Sequence, residues 1–158
     1  PISSFGAHVA ARPRTSLKTR GNVAMCGTFG YELDPRKLTD DEKAEVKQQI
    51  ADYRKYHCLV REGDFYRLVS PTENDFYCAW EFVSPDKQEA MMTAVVMRQP
   101  ETRYCVQRLR GLDPKTYYQD EETGTVYSGA MLMNAGLNLT RDVYEDGTSV
   151  TKHFKAVK

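Results

Sequence analysis

The sequence predicts a mainly β fold, an antiparallel β-sandwich preceded by a helical segment, and two observations predict it. Up to about residue 60, apolar side chains recur every three or four positions, the spacing of one face of a helix. Beyond residue 60, short segments rich in Tyr, Phe, Val and Thr are separated by Pro, Gly, Asp and Asn at intervals of about 8 to 12 residues. That rhythm is typical of antiparallel sandwiches and barrels, so the chain divides into two unlike parts.

The composition excludes several classes of protein. The chain has 158 residues, and its 22 Lys and Arg side chains balance 22 Asp and Glu side chains, so no net positive field draws it to nucleic acid or anionic lipid. Hydrophobic residues make up 41%, too many for a disordered chain. No apolar run approaches the ~20 residues that span a bilayer. We expect a soluble globular protein with neither nucleic acid nor membrane as a partner, and a cytoplasmic location.

The clearest helix signal begins at Thr39. Thr39 is placed to cap a helix, and Glu42 stands three residues later, where it can bond back to the backbone of the cap. The helix is predicted from Asp40 to about Tyr56 and presents one apolar stripe that needs a partner surface. The stripe consists of Val46, Ile50, Tyr53 and His57.

A second, weaker helix is predicted from Leu17 to Met25. Either Thr15 or Ser16 can cap it. Gly21 weakens this prediction, because glycine costs about 1 kcal/mol relative to alanine inside a helix.

The strands of the second part follow from alternation and turn chemistry. Residues 76–83 alternate between two faces, residues 84–87 have turn chemistry, and the apolar run 90–97 follows, which predicts a hairpin whose second strand is buried on both faces. A single helical turn is expected within 129–136. Further strands are predicted at 65–69, 103–109, 116–119, 125–128 and 149–157.

The four cysteines show no metal or redox spacing. They lack a C-x-x-C pattern, and each has apolar or aromatic neighbours. We expect reduced, buried thiols in preference to a disulfide framework. The four are Cys26, Cys58, Cys78 and Cys105.

No motif for a metal, a cofactor or a nucleophile is present in the sequence. The histidines His8, His57 and His153 lie far apart, and no phosphate-binding glycine pattern or G-x-S-x-G elbow occurs. His57 is interpreted as part of the last turn of a helix, and His153 as a solvated or half-buried strand position. The acidic run 120–122 is interpreted as a solvated turn. We predict no metal and no cofactor.

Aromatic residues are the one enriched class that could contact a ligand. Trp80 and Phe82 share a strand face with Cys78, which favours packing inside the sandwich over an exposed platform for a sugar. Tyr117 and Tyr118 are adjacent, so one of them must point out of the sheet. That outward tyrosine leaves open an alternative function, a non-catalytic carbohydrate-binding β-sandwich.

Several segments in register resemble one known family. Residues 23–34, Val-Ala-Met-Cys-Gly-Thr-Phe-Gly-Tyr-Glu-Leu-Asp, closely resemble the bacterial α-galactosidases of glycoside hydrolase family 36 near their C-terminus. The resemblance covers essentially the whole chain. The further matching segments are 1–9 (PISSFGAHV), 53–56 (YRKY), 63–68 (GDFYRL), 109–114 (LRGLDP), 127–129 (YSG) and 133–137 (MNAGL).

The resemblance implies a particular division of the chain. In these enzymes a catalytic (β/α)8 barrel precedes an antiparallel C-terminal sandwich. Residues 1–58 would then be the last loop and the final helices of an incomplete barrel, and residues 59–158 the sandwich. The apolar stripe of the helix from Asp40 would pack on barrel elements outside this chain.

The resemblance also implies an activity for a longer parent protein. The family removes terminal α-linked galactose from raffinose- and melibiose-type oligosaccharides with retention, using one Asp as nucleophile and another as acid/base. Both of these family motifs lie upstream of the segment that matches Pro1, so the chain alone is expected to be inactive and to support the barrel. The implied partners are galactosides, the remainder of the barrel, and further copies in a homo-oligomer.

Three residues are implied to lie near the sugar pocket. The segment 3–8 would leave the carboxyl end of the last barrel strand, the face on which barrel enzymes place their sites. Ser4, Gly6 and His8 are therefore expected at the rim of the pocket as substrate-binding residues, and no residue of the chain is expected to be catalytic. Between His8 and Leu17 the chain is shorter than the family pattern, through either a deletion or an unrecorded stretch of loop.

Overall fold

The computed structural model describes residues 4–11, 15–73, 76–99, 105–142 and 145–157. The helices are α1 (Leu17–Ala24), α2 (Asp40–Glu62) and α3 (Gly129–Asn134). The strands are β1 (Gly6–Ala10), β2 (Thr28–Glu32), β3 (Asp64–Val69), β4 (Tyr77–Val83), β5 (Glu89–Val96), β6 (Val106–Gln107), β7 (Tyr117–Asp120), β8 (Val126–Ser128), β9 (Leu137–Asn138) and β10 (Ser149–Val157).

The first part of the chain is a β-α-β-α unit. Strands β1 and β2 pair in parallel, from Gly6 opposite Thr28 to Ala10 opposite Glu32, and α1 connects them. This corrects the expectation that the segment ending near His8 is a loop after the last strand: it contains a strand, and a second strand follows. The sequence did not predict β1, because a five-residue strand built from Gly, Ala, His and Val shows almost no alternation of polar and apolar residues.

Both predicted helices are confirmed at their starts. The Ser16 hydroxyl accepts a hydrogen bond from the backbone of Thr19, and Thr39 and Glu42 form the complete capping box. Helix α2 runs six residues beyond the predicted end at Tyr56, through Glu62. Tertiary packing extends it, because its last turns bury apolar side chains against the sheet. His57 is therefore not in the last turn, and the expected boundary between residues 58 and 59 falls inside α2.

Part of the surface that covers the stripe of α2 lies within this chain. Tyr53 stacks on Phe29 of β2, with ring centroids 5.0 Å apart and an interplanar angle of 22°. Val46 packs against the cluster that contains Val9 of β1 and Leu17 of α1. The expectation that the stripe packs only on absent barrel elements is therefore wrong, since the β1–β2 pair supplies one side of the contact.

The second part of the chain confirms the mainly β, antiparallel class. Six strands form one sheet in the order β3-β4-β5-β10-β7-β8, with every neighbouring pair antiparallel. The short pair β6–β9 and helix α3 lie on one face of this sheet and enclose the main core. Of the strand predicted over residues 103–109, the structure forms only Val106–Gln107 within the described ranges. Residues 103 and 104 lie outside those ranges.

Helix α2 packs on the opposite face of the sheet. Phe82 is buried with Leu59, Val60 and Met91, and the half-buried Trp80 packs against the same cluster. Trp80 and Phe82 therefore pack as core residues, which confirms the preference over a sugar platform. Their partner is the helix, however, and not the interior of the sandwich.

The adjacent tyrosines point to opposite faces, as predicted. Tyr117 is 58% exposed, whereas Tyr118 is fully buried and its hydroxyl donates to the carbonyl of Lys87. The outward tyrosine is thus Tyr117.

All four cysteines are free thiols. Cys105 is buried, and Cys26 and Cys78 are half-buried. The expectation of burial is wrong for Cys58, which is exposed on α2. The apolar neighbours of Cys58 in sequence, Leu59 and Val60, turn to the sheet while Cys58 faces away.

One carboxyl group lies in the apolar core of the sandwich. Glu81 is fully buried between Ala79 and Val83 on the inward face of β4. Its Oε1 accepts a hydrogen bond from the backbone N–H of Arg110, and its Oε2 has no hydrogen-bond partner within the described ranges. Burial raises the pKa of Glu81 to about 8, so the group is mainly protonated in the folded protein at neutral pH.

We predict that the Glu81→Gln variant removes a pH dependence of stability. The unfolded carboxyl titrates near 4.5 and the folded one near 8, so the folded state holds one proton more between these values, and the free energy of unfolding falls as the pH rises through that window. The neutral amide of the glutamine does not titrate in this range, so the variant does not lose this stability as the pH rises. The advantage of the variant over the wild type should therefore grow by about 2–4 kcal/mol between pH 5 and pH 9, as measured by urea denaturation. The exposed control Glu145→Gln should follow the wild type at both pH values, and a pH-independent difference for Glu81→Gln would contradict the account.

Candidate functional site at the end of a parallel strand pair

The β1–β2 pair has one covered face and one open face. Val9 is fully buried towards α1, and Phe29 and Tyr31 of β2 pack in the same cluster. Because side chains alternate along a strand, the intervening residues point to the other face. These are Gly6, His8, Ala10, Thr28, Gly30 and Glu32, and each of them is exposed or half-buried.

His8 and Glu32 meet on the open face. The Nδ1 atom of His8 lies 2.7 Å from Oε1 of Glu32, and the two side chains are 45% and 63% exposed. Gly30 lies directly opposite His8 in the register and leaves room for its ring, since a Cβ there would come within 3.0 Å of His8 Cδ2. The pair places an imidazole and a carboxylate towards the carboxyl ends of both strands.

A second carboxylate follows β2 but is held in a turn. Asp34 accepts hydrogen bonds from the side chain and backbone of Arg36, which lower its pKa. Its oxygens cap the short 3-10 turn Pro35–Lys37. The carboxylate of Asp34 is therefore used within its own turn. The open face carries a contact between a histidine and a carboxylate, and not the two facing carboxyls of a retaining glycosidase.

The structure separates the three residues expected at the rim. His8 lies in mid-strand on the open face, and Gly6 is the first residue of β1. Ser4 is exposed and precedes β1, so it lies at the amino end of the pair, away from the carboxyl end where barrel enzymes place their sites. Of the three, Gly6 and His8 lie on the open face, and their position at the rim of a pocket stays a prediction.

Glu32 was missed by sequence reasoning, although a signal for it existed. The segments 5–9 (FGAHV) and 29–33 (FGYEL) share the pattern Phe-Gly-x-polar-aliphatic. Two similar short segments joined by a helix are typical of successive parallel strands. This similarity could have predicted that both segments are strands, but not the register, which sets His8 opposite Gly30 and diagonal to Glu32.

A second cluster of charged side chains joins α2 to the sandwich. His153 of β10 is buried, with Nδ1 2.7 Å from Glu121 Oε2 and Nε2 2.6 Å from Glu89 Oε1. The imidazole thereby joins the β7–β8 turn to strand β5. Lys55 of α2 reaches Glu121 at 2.5 Å, and Lys155 binds the same carboxylate at 2.9 Å.

This cluster corrects two sequence interpretations. His153 is a buried member of a charge network and not a solvated or half-buried position. The solvated interpretation of the run 120–122 is wrong only for Asp120, which is buried; Glu121 and Glu122 are exposed, and Lys152 lies 2.5 Å from Glu122. Partial burial alone would raise the pKa of Glu121, but hydrogen bonds from the surrounding cations lower it to about 2. The sequence could not show this, because partners up to 66 residues apart meet only in the folded chain.

Neither a metal centre nor a membrane span is found within the described ranges. No group of three or more His, Cys, Asp or Glu side chains there is arranged to hold a metal ion. The helices in that part of the chain are also too short or too polar to cross a bilayer.

Comparison with known families matches both parts of the chain. The model described as the glycosyl hydrolase family 36 C-terminal domain matches residues 77–154, and the model described as melibiase matches residues 1–63. The chain is 48% identical over 146 residues to α-galactosidase AgaA of Geobacillus stearothermophilus, covering 88% of this chain and 20% of the relative. It is 43% identical over 146 residues to the bifunctional α-galactosidase/sucrose kinase AgaSK of Mediterraneibacter gnavus, covering 88% of this chain and 16% of the relative.

Solved structures agree with the sequence matches. The galactosidase domain of AgaSK superposes with a TM-score of 0.92 at 40% identity, over 99% of this chain and 22% of that chain. A variant of AgaA solved in complex with raffinose superposes with a TM-score of 0.91 at 44% identity, over the same shares. This chain therefore spans about a fifth of the length of the relatives that it matches.

The fold and these matches show the class of protein: the chain belongs to a glycoside hydrolase family. More narrowly, the chain belongs to glycoside hydrolase family 36, the family of the α-galactosidases, and corresponds to a C-terminal fragment of its members.

We predict that the Glu121→Gln variant loosens the contact between α2 and the sandwich. Removing the charge leaves Lys55, Lys155 and His153 without their shared partner, and the free energy of unfolding at pH 7 should fall by roughly 1–3 kcal/mol. Because the folded pKa is about 2, the contribution of Glu121 exists above the ordinary value near 4.5 and is lost as the pH falls towards 2. Urea denaturation at pH 7 and at steps down to pH 2.5 should show the two proteins converging.

A matched control separates this network from a surface ion pair. Glu62 pairs with Arg61 at 2.5 Å, but both side chains are more than half exposed. Glu62→Gln should change the free energy of unfolding by less than about 0.5 kcal/mol. Equal effects of the two substitutions at pH 7 would show that the network adds nothing beyond an exposed pair.

Proposed function

We propose that this chain is the C-terminal part of a retaining α-galactosidase and that it supports the catalytic barrel without catalysing the reaction itself. The full protein would hydrolyse terminal α-linked galactose from oligosaccharides such as raffinose and melibiose. The observation that carries the proposal is the parallel β1–β2 pair with its open face, joined to a sandwich that superposes on family 36 enzymes.

The strand pair supports an incomplete barrel. Parallel strands occur almost only in larger sheets covered on both faces, and here helices cover one face alone. Both outer edges of the pair are unpaired within the described residues. In a (β/α)8 barrel the remaining strands would pair with these edges, and the open face would become the packed interior.

The absence of a facing carboxyl pair supports a role without catalysis. Retaining glycosidases need two carboxyls about 5–5.5 Å apart, one as nucleophile and one as acid/base. On the open face Glu32 is bound to His8, and Asp34 is bound to Arg36 in a turn. We therefore assign both catalytic groups to the part of the protein that precedes β1, and we assign His8 to the border of the pocket.

The relatives support the class of substrate. Structures related to this chain were solved with raffinose, with stachyose and with 1-deoxygalactonojirimycin. All three ligands were bound by variants of AgaA, to which this chain is 44% identical over 99% of its length. We propose galactosides of this type as substrates of the parent enzyme, a cytoplasmic location and a homo-oligomeric assembly.

The decisive experiment measures galactose release. The purified 158-residue chain should release no galactose from an aryl α-galactoside, because it lacks both catalytic carboxyls, whereas the same chain joined to the segment that precedes β1 should be active. Adding that segment as a separate polypeptide should restore part of the activity. Turnover that follows the 158-residue chain through purification, or a joined protein with no activity on any α-galactoside, would contradict the proposal.

A further inference from the structure

A cleft of about 930 Å³ lies between the helices and the sandwich, over strand β10. Helices α1 and α2 form one wall, and the turn between β7 and β8 forms the other. We call it the β10 cleft and define it by Ser149, Thr151 and His153 on its floor and by Asn22 and Arg141 on its sides. Its volume lies within the range of pockets that hold small ligands.

The floor of the β10 cleft is polar where apolar residues are expected. Strand β10 is a central strand of the six-stranded sheet, and Ser149, Thr151 and His153 share one face of it because side chains alternate. On the same face of the sheet, the area under α2 is filled by Phe82 and Met91. The hydroxyls and the imidazole are therefore a local change in chemistry, which the buried Thr93 of β5, opposite Thr151, continues beside the cleft.

The charges around the cleft nearly cancel. The cations Lys18 and Arg141 line it, and so do the carboxylates of Asp52 and Asp142. The acidic residues of the β7–β8 turn are already paired with lysines and with His153. The cleft therefore favours neither a strongly anionic nor a strongly cationic ligand, whereas a neutral ligand with many hydroxyls can use both its donors and its acceptors.

The sides of the cleft retain hydrogen-bonding capacity. The Nδ2 atom of Asn22 donates to Ser149 Oγ at 2.9 Å, which holds the amide in a fixed position beside the floor. Thr19 binds the same hydroxyl at 2.9 Å and ties α1 to β10. Arg141 is exposed at the mouth, and its guanidinium offers a planar set of donors that suits adjacent hydroxyls.

We propose that the β10 cleft binds a neutral oligosaccharide at a site separate from the barrel pocket. Helix α1 separates the two places, since Leu17 and Ala24 pack against Val9 of β1 while Thr19 contacts Ser149 of β10 on the other side. The site goes beyond the proposed function, because it requires no catalysis and uses the junction between the two parts of the chain. It would hold a saccharide on the protein outside the catalytic site.

The test is a titration of the whole 158-residue chain by calorimetry with two neutral trisaccharides, raffinose and maltotriose, and with inorganic phosphate. The chain should bind at least one trisaccharide and should not bind phosphate. Arg141→Ala should weaken that binding about tenfold, as expected for the loss of hydrogen bonds from a charged donor. Arg108→Ala removes an equally exposed arginine outside the cleft and should leave binding unchanged.

A second variant removes a hydroxyl from the floor. Thr151→Val keeps the volume of the side chain and should also weaken trisaccharide binding, and a thermal melt shows whether the loss of its 3.0 Å contact with Thr93 alters the fold. Trisaccharide binding that responds to Arg141→Ala and not to Arg108→Ala supports the proposal. No trisaccharide binding, binding that Arg141→Ala leaves unchanged, or binding of phosphate in place of saccharide would each overturn it.

Discussion

The parallel pairing of β1 with β2 is the constraint on which the rest of the structure depends. Five residues of each strand are joined in register, with α1 between them and α2 after them. Such a pair forms backbone hydrogen bonds only along the edge that the two strands share. Its open face carries His8 and Glu32. We infer that the unit is the end of a larger sheet; its covered face packs against α1 and against Val46 of α2.

The sandwich holds those helices from the other side. Leu59 and Val60 of α2 are buried against Phe82, and Lys55 reaches across to Glu121. Helix α1 contacts β10 through the Thr19–Ser149 hydrogen bond. Apolar burial supplies most of the stabilisation, since about 25 cal/mol is gained per Å² of apolar surface removed from water. The polar network selects the geometry in which Lys55, Lys155 and His153 share the carboxylate of Glu121. The sandwich thus contacts both helices, which suits the proposed role of support for a barrel.

Sequence reasoning succeeded where local chemistry decides the structure. The capping box at Thr39 and Glu42 fixed the start of α2, and β10 was predicted with its observed bounds. The reasoning failed where distant residues decide it: β1 is too short to show alternation, and the extension of α2 to Glu62 comes from contacts with the sheet. His8 was singled out through a family resemblance, but its contact with Glu32 follows only from the parallel register. Similarly, no local pattern separates a solvated His153 from one held between two carboxylates.

The central claim is that the β1–β2 pair is an unfinished sheet, and native-state hydrogen exchange tests it most directly. In the isolated chain the amides of β1 and β2 should exchange much faster than those of the central strands β5 and β10, because local opening costs little where edges and one face are uncovered. In a longer protein that contains the preceding barrel segment, the same amides should gain protection while β5 and β10 stay unchanged. Equal protection of β1, β2, β5 and β10 in the isolated chain would show that the strand pair is complete by itself and would contradict the account.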